Sequence, residues 1–413
     1  MFTARSLALA VTTLAGTLAA QPDGARIVGL TAGTPFVQSQ DLVNCNARRC
    51  APPGVFGQPV FDHRGGTAYD TRTRGTWISD GTRIAKVDSR LQCVYQCGPV
   101  PMPSDQIASD VTGLAYHHRT NRLWVTDSAN RVRIYDISGC TLTLQSQCSV
   151  LLPLGHVLTG IALDDVGSRV ILTSAEFSGL SAGGWVHIAS QNAPCDFQCT
   201  AQIQACITSS SILGPLTGCA YDACESEIWV TDGRVSVSCV LSALNCTLIQ
   251  TGCCTNPLLN DPYVGLCIEP STEYSTGGVC SAGGCDNSCQ PHHFLGNGDP
   301  VIGNIGFTLD AASLPANQVA ATFFNGGIAD PVGYLVPGFC EEIHVPLTPT
   351  LLSFPANTGG GVGCSGSTSL NFSIQANPST CGLTITTQVM GICFNPIIGT
   401  FVTNALTWTV TSS

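Results

Sequence analysis

The chain has 413 residues, of which only 10% are charged while 44 are glycine, 24 proline and 23 cysteine. Its net charge is −11 and no lysine or arginine follows Arg234. That balance excludes the cationic surface on which phosphate binding depends, so nucleic acid is not an expected partner. Few charges with 44% hydrophobic residues fit short strands and turns better than long charged helices.

The N-terminus reads MFTARSLALAVTTLAGTLAAQ. Arg5 supplies a positive start, Leu7 to Ala20 an apolar run, and Ala19 and Ala20 the small residues a signal peptidase prefers. Residues 1–20 are therefore expected to be a signal peptide. The run is short for a membrane anchor, and no later stretch is long and apolar enough to span. The expected location is outside the cell or on its surface, with no transmembrane segment.

Cysteine usage agrees with an oxidising compartment. No C-x2-C pair occurs and only eight histidines are present, which disfavours zinc against disulfides. Cysteines fall instead in close pairs: Cys45/Cys50, Cys93/Cys97, Cys140/Cys148, Cys195/Cys199, Cys246/Cys253 and Cys285/Cys289. The first five pairs are the disulfide candidates of the repeat region, expected to cross-link the exposed edge of each unit. The total is odd, and the Cys253–Cys254 doublet is where an unpaired thiol is expected.

One short pattern recurs: glycine, an apolar residue, a small residue, an aromatic or aliphatic, then an acid or histidine. It reads Gly66 to Asp70, Gly113 to His117, Gly160 to Asp164, Gly218 to Asp222 and Gly265 to Glu269. The first three starts are 47 residues apart, the next interval is 58 and the last is 47 again. Eleven residues after each of the first four glycines stands Trp77, Trp124, Ile171 or Trp229, and three further on Asp80, Asp127, Ser174 or Asp232. Strings such as TWISDG, LWVTDS and IWVTDG read as short buried strands ending in a turn. Four short strands per unit predict an all-β propeller of five or six four-stranded blades over residues 21–289. Residues 27 to 50 either complete the last blade by ring closure or form a sixth.

The tryptophans are expected to fill space between blades, and Asp80, Asp127 and Asp232 to cap turns. Asp70, His117, Asp164, Asp222 and Glu269 occupy equivalent positions and could crowd one end of the channel, where calcium is a conceivable ligand. The alternative is that each starts the turn after its strand. No cofactor is otherwise predicted.

After a linker at 290–295, residues 296–413 change texture to many short strands with Gly, Pro and Asn turns, predicting a β-sandwich. Cys340, Cys364, Cys381 and Cys393 offer two bridges inside it. The strings GLAYHHRTNRLWVTD and GCAYDACESEIWVTD resemble blades of the broad NHL/YVTN-type propellers. GNGDPVIGNIGFTLDAASLPAN and VTNALTWTV resemble a C-terminal β-sandwich module of secreted planctomycete proteins. That second resemblance implies an attachment or sorting module without catalytic residues.

No H-E-x-x-H, EF-hand or phosphate-cradling loop occurs. Three functions follow in order of expectation. The first is a secreted or cell-surface binding protein whose partner is an extracellular protein, a glycan or an envelope component. The second, implied by propellers that resemble metal-dependent lactonases, is a propeller-type hydrolase. The third is a structural envelope component.

Overall fold

The computed structural model describes residues 26–31, 37–41, 47–50, 65–88, 93–102, 110–176, 184–203, 215–233, 235–242, 246–255, 263–269, 274–395 and 397–411. The expected signal peptide lies outside the described residues. Two compact units divide the chain, Asp23–Pro270 and Ser271–Thr411. No helix of the described residues is long and apolar enough to cross a membrane.

Among the described residues, the first unit contains five four-stranded antiparallel sheets. From axis to rim, blade 1 runs Gly66–Asp70, Gly75–Ser79, Arg83–Asp88 and Val94–Pro101. Blade 2 runs Val111–His117, Arg122–Asp127, Arg131–Ser138 and Thr141–Ser149. Blade 3 runs His156–Asp164, Arg169–Glu176, Trp185–Ser190 and Ala193–Gln202. Blade 4 runs Gly218–Asp222, Glu227–Thr231, Val235–Ser242 and Thr247–Thr255. Blade 5 is composite: Tyr263–Glu269 is its inner strand, and Arg26–Thr31, Val37–Asp41 and Ala47–Cys50 from the N-terminus complete it. The sequence left ring closure and a sixth blade open; closure is what forms. Joining the first strands to the last inner strand removes two open sheet edges at once.

The repeated glycines explain the tight axis. A Cβ on Gly66 would lie 2.9 Å from the Cα of Gly113, and one on Gly113 would lie 2.7 Å from the Cα of Gly160. The series continues from Gly160 to Gly218 at 3.0 Å, Gly218 to Gly265 at 2.7 Å and Gly265 back to Gly66 at 2.6 Å. Five backbones thus meet in a closed ring where no side chain fits. Only Gly265 also has a positive φ, +73°, so contact rather than conformation demands glycine at the other four.

Tryptophan wedges fill the space between blades. Trp77 packs with Leu114 and Leu123 of blade 2, Trp124 with Ile161 and Leu163 of blade 3, and Trp229 with Leu266 and Ile268 of blade 5. At the next turn, Asp80 Oδ1 accepts the N–H groups of Thr82 and Arg83, Asp127 Oδ1 those of Ala129 and Arg131, and Asp232 Oδ1 that of Val235. The hydroxyl just before the aspartate also works: Ser79 and Thr231 donate across the turn to Arg83 and Val235 carbonyls.

Disulfides form a belt on the rim: Cys97–Cys140 joins blades 1 and 2, Cys148–Cys195 blades 2 and 3, and Cys199–Cys246 blades 3 and 4. The expectation that close cysteine pairs cross-link their own blade is corrected. Cys140 and Cys148 lie on or beside one rim strand and serve opposite neighbours, as do Cys195 and Cys199. Cys93 is also disulfide-bonded. Cys45 lies outside the described residues, as does the side chain of Cys50. Cys219 and Cys267, buried inside the ring, stand outside any disulfide, as does exposed Cys253 of the doublet to which the sequence pointed.

The second unit stacks a three-stranded sheet, His292–Gly296, Thr308–Leu314 and Gly366–Asn371, on a seven-stranded one. The larger sheet includes Val319–Gly326, Leu352–Asn357, Thr384–Asn395, Ile397–Val402 and Ala405–Thr409. Ala311 and Leu314 face Ala320, Val389 and Phe401 between them. The expected boundaries shift here. Tyr274–Thr276 and Cys280–Ala282 pair with strands of the larger sheet, and the stretch expected as a linker is largely the strand His292–Gly296. The bridges Cys280–Cys340, Cys285–Cys393 and Cys289–Cys364 bind the segment from 280 to 289 to the sandwich. Cys280, Cys285 and Cys289 are therefore sandwich cysteines, and Cys340, Cys364 and Cys393 pair with them instead of with one another.

Candidate functional site at the wide end of the axial channel

From the glycine ring, the inner strands run toward their repeated acids and enclose a cavity of about 50 Å3. All five blades line it, through residues such as Ala68, Ala115, Ala162, Ala220 and Cys267, with Tyr69, Tyr116 and Tyr221 also in the wall. Small residues at the second position after each glycine leave this space open.

Each repeated polar residue ends its inner strand. Asp70 Oδ1 accepts from the N–H groups of Arg72 and Thr73, and Oδ2 pairs with buried Lys86, the chain's only lysine. The Lys86 ammonium also stands 5.0 Å from the centre of the Trp77 ring. Asp164 accepts from Gly167 N–H at 2.8 Å and from Arg169 Nε at 2.8 Å. Asp222 accepts from the N–H groups of Cys224 and Glu225. Glu269 ends the inner strand of blade 5 and is buried. Each carboxylate with these partners spends its oxygens on its own turn or blade.

His117 departs from the acids. Thr120 N–H donates to its Nδ1 at 3.2 Å, so Nε2 carries the proton of the neutral ring. That Nε2 faces Asp165 Oδ1 at 3.2 Å and Gln191 Oε1 at 3.3 Å. Burial pulls the His117 pKa below its ordinary value, with Asp165 acting the other way. His118 Nδ1 lies 2.9 Å from Asp165 Oδ2, off the line of a good hydrogen bond, and its Nε2 is buried with no partner. Gln191 Nε2 donates to Asp165 Oδ1 at 3.0 Å. Burial resists ionisation of Asp165, but His118, His117 and Gln191 together outweigh it and hold the carboxyl below its usual range.

His118, Asp165 and Gln191 escaped the sequence reading. The available signal was one residue beyond the repeat, where Thr71, His118, Asp165, Ala223 and Pro270 break the pattern. A doublet of ionisable residues there, His117–His118 or Asp164–Asp165, marks the two blades that build something unequal.

The five repeated positions end five different blades and share no ligand-sized cluster with one another. Among the described residues, the group with converging metal-type ligand atoms is Asp286, Cys289 and Cys364, and its two sulfurs are already joined in a disulfide. The wall thiols Cys219 and Cys267 have their pKa pushed up to about 12 by burial, which suppresses the reactive thiolate.

No protein-family model matches the chain, and no curated protein matches it. Among solved structures, a chain from the "Crystal structure of Nidogen/Laminin Complex" is 14% identical, with 60% of this chain and all of that chain covered and a TM-score of 0.36. The Myceliophteria_thermophila Cps50 (Swd1) β-propeller domain is 12% identical, with 57% of this chain and 73% of that one covered and a TM-score of 0.32. The architecture itself rests on the five sheets and the glycine ring described above.

Proposed function

We propose that the protein is a secreted or cell-surface binding protein, with the propeller as recognition scaffold and the C-terminal sandwich as an attachment or sorting module. One observation carries the reading. The axial cavity has an apolar and aromatic wall with a single off-repeat carboxylate, Asp165, at its wide end, which is the composition of a binding pocket. The repeated acids beside it are engaged in turns and ion pairs, which leaves them poorly placed to gather a metal. Candidate partners are an extracellular protein, a glycan or an envelope component. Labelled mature protein titrated onto intact cells and isolated envelope of the producing organism tests this. Saturable retention supports it; no retention, with hydrolysis of a lactone panel in calcium buffer, replaces it by the hydrolase reading.

A further inference from the structure

We infer that the axial cavity takes a primary ammonium group, presented as a lysine side chain by a protein partner, with Asp165 as its counter-ion. The inference rests on the binding reading above and names the chemistry of the ligand.

Asp165 is 3% exposed and lines the cavity. A buried carboxylate is costly unless a cation or several donors compensate it. Other buried aspartates of the ring have a permanent cation: Asp70 has Lys86, Asp164 has Arg169, and Asp127 has Arg131 and Arg133. Asp165 instead has two imidazoles and an amide. A carboxylate offers about four acceptor positions, and here only the Gln191 contact is a well-formed hydrogen bond. His118, 6% exposed, has neither nitrogen in an aligned hydrogen bond. Acceptor capacity therefore remains at the point where the carboxylate meets the cavity.

The rest of the wall suits the stem of a lysine. Ala115, Ala162 and Leu163 present apolar surface, and Tyr69, Tyr116 and Tyr221 line the cavity from three blades. The volume decides between ligand sources. About 10–15 Å3 admits one water on this measure, so the cavity of about 50 Å3 holds the last few atoms of a side chain and not a hexose. A net charge of −11 draws cations toward the site.

The test compares Nα-acetyl-lysine N-methylamide with its Nε-acetylated form by isothermal titration on the intact mature protein and on Asp165→Asn. The expected result is saturable one-to-one binding of the ammonium probe. Acetylation and Asp165→Asn should each weaken it at least about tenfold, a loss of about 1.4 kcal/mol or more. Equal affinity for both probes, or no binding of the ammonium probe, overturns the inference. The two-probe comparison on the unmutated protein decides even if Asp165→Asn fails to fold. A lysine-containing hexapeptide should bind more tightly than n-butylamine; the reverse order assigns the site to a free amine and overturns the protein source. Probe failure with envelope retention intact sinks the lysine inference alone, whereas loss of both sinks the binding reading as well.

Discussion

Substitution of Gly113 by alanine tests the glycine ring directly. The new Cβ would lie 2.7 Å from Gly160 Cα, 2.7 Å from Thr126 Oγ1 and 2.9 Å from Ile161 N. Two of these three atoms are backbone of the next blade, so no rotamer change relieves the contact. Thr126 is itself tied to Thr112 at 3.1 Å. Moving one blade outward by several tenths of an ångström would loosen the packing of Trp124 against Ile161 and Leu163. Overpacking of this kind costs about 1–3 kcal/mol and sometimes more, and the backbone clash points to the upper end. At about 3 kcal/mol, the propeller transition should fall by roughly 6–12 °C for a unit of this size. Gly98→Ala is the matched control, because no atom lies within 4 Å of its Cβ position. It should be neutral or gain up to about 1 kcal/mol from a stiffer unfolded chain. Calorimetry and urea unfolding of both variants provide the measurement. Gly113→Ala within about 0.5 kcal/mol of the unmutated protein, the range of ordinary surface substitutions, would refute the steric account of the ring.

Acid should destabilise both units. Burial holds His187 and His293 near a pKa of about 4 against an ordinary 6.5. The unfolded chain therefore binds more protons below pH 6.5, and stability is lost as pH falls from there toward 4, by about 2 kcal/mol per group at pH 5. Urea midpoints at pH 7.5, 6 and 5 should decline, and His293→Gln should flatten the decline of the second unit alone; level midpoints contradict this. Replacing Cys148 and Cys195 together by serine opens a closure of 47 residues, at a cost of about 4 kcal/mol on the loop-entropy model. An unchanged unfolding midpoint would show the belt to be mechanically idle. Lys86→Met strands the Asp70 carboxylate, 1% exposed, and should cost about 3–5 kcal/mol. Adding Asp70→Asn should recover part of that loss in equilibrium unfolding, and a double variant as weak as the single one argues against the ion pair as the cause.

Much of the architecture was legible in the chain, because a repeat imposes the same contact at every blade. Glycine, tryptophan and aspartate return in phase because the axis, the interblade wedge and the turn recur in phase. The cysteines were legible as disulfide formers but not in their pairing. Spacing along one rim strand says nothing of which neighbour each sulfur faces. The change of texture near residue 290 marked a second module, yet its true extent begins with strands at 274 and 280. Three-residue strands carry too little periodicity to be seen without their partners.

The candidate site divides in the same way. His117 and the repeated acids could be read off because they keep register. His118, Asp165 and Gln191 could not, since they come from two blades and meet only when those blades pack. By itself, then, the sequence determined that tandem four-stranded β units with a phase-locked glycine pack around an axis, because a repeated steric demand leaves a repeated residue. Only the tertiary structure decided that five blades close the ring through the N-terminal strands, and that the sulfurs join neighbours. It also placed the off-repeat Asp165 in the wall of the cavity, with two imidazoles and an amide around it. Those outcomes depend on which surfaces meet across the axis, and residues far apart in the chain carry no local mark of meeting.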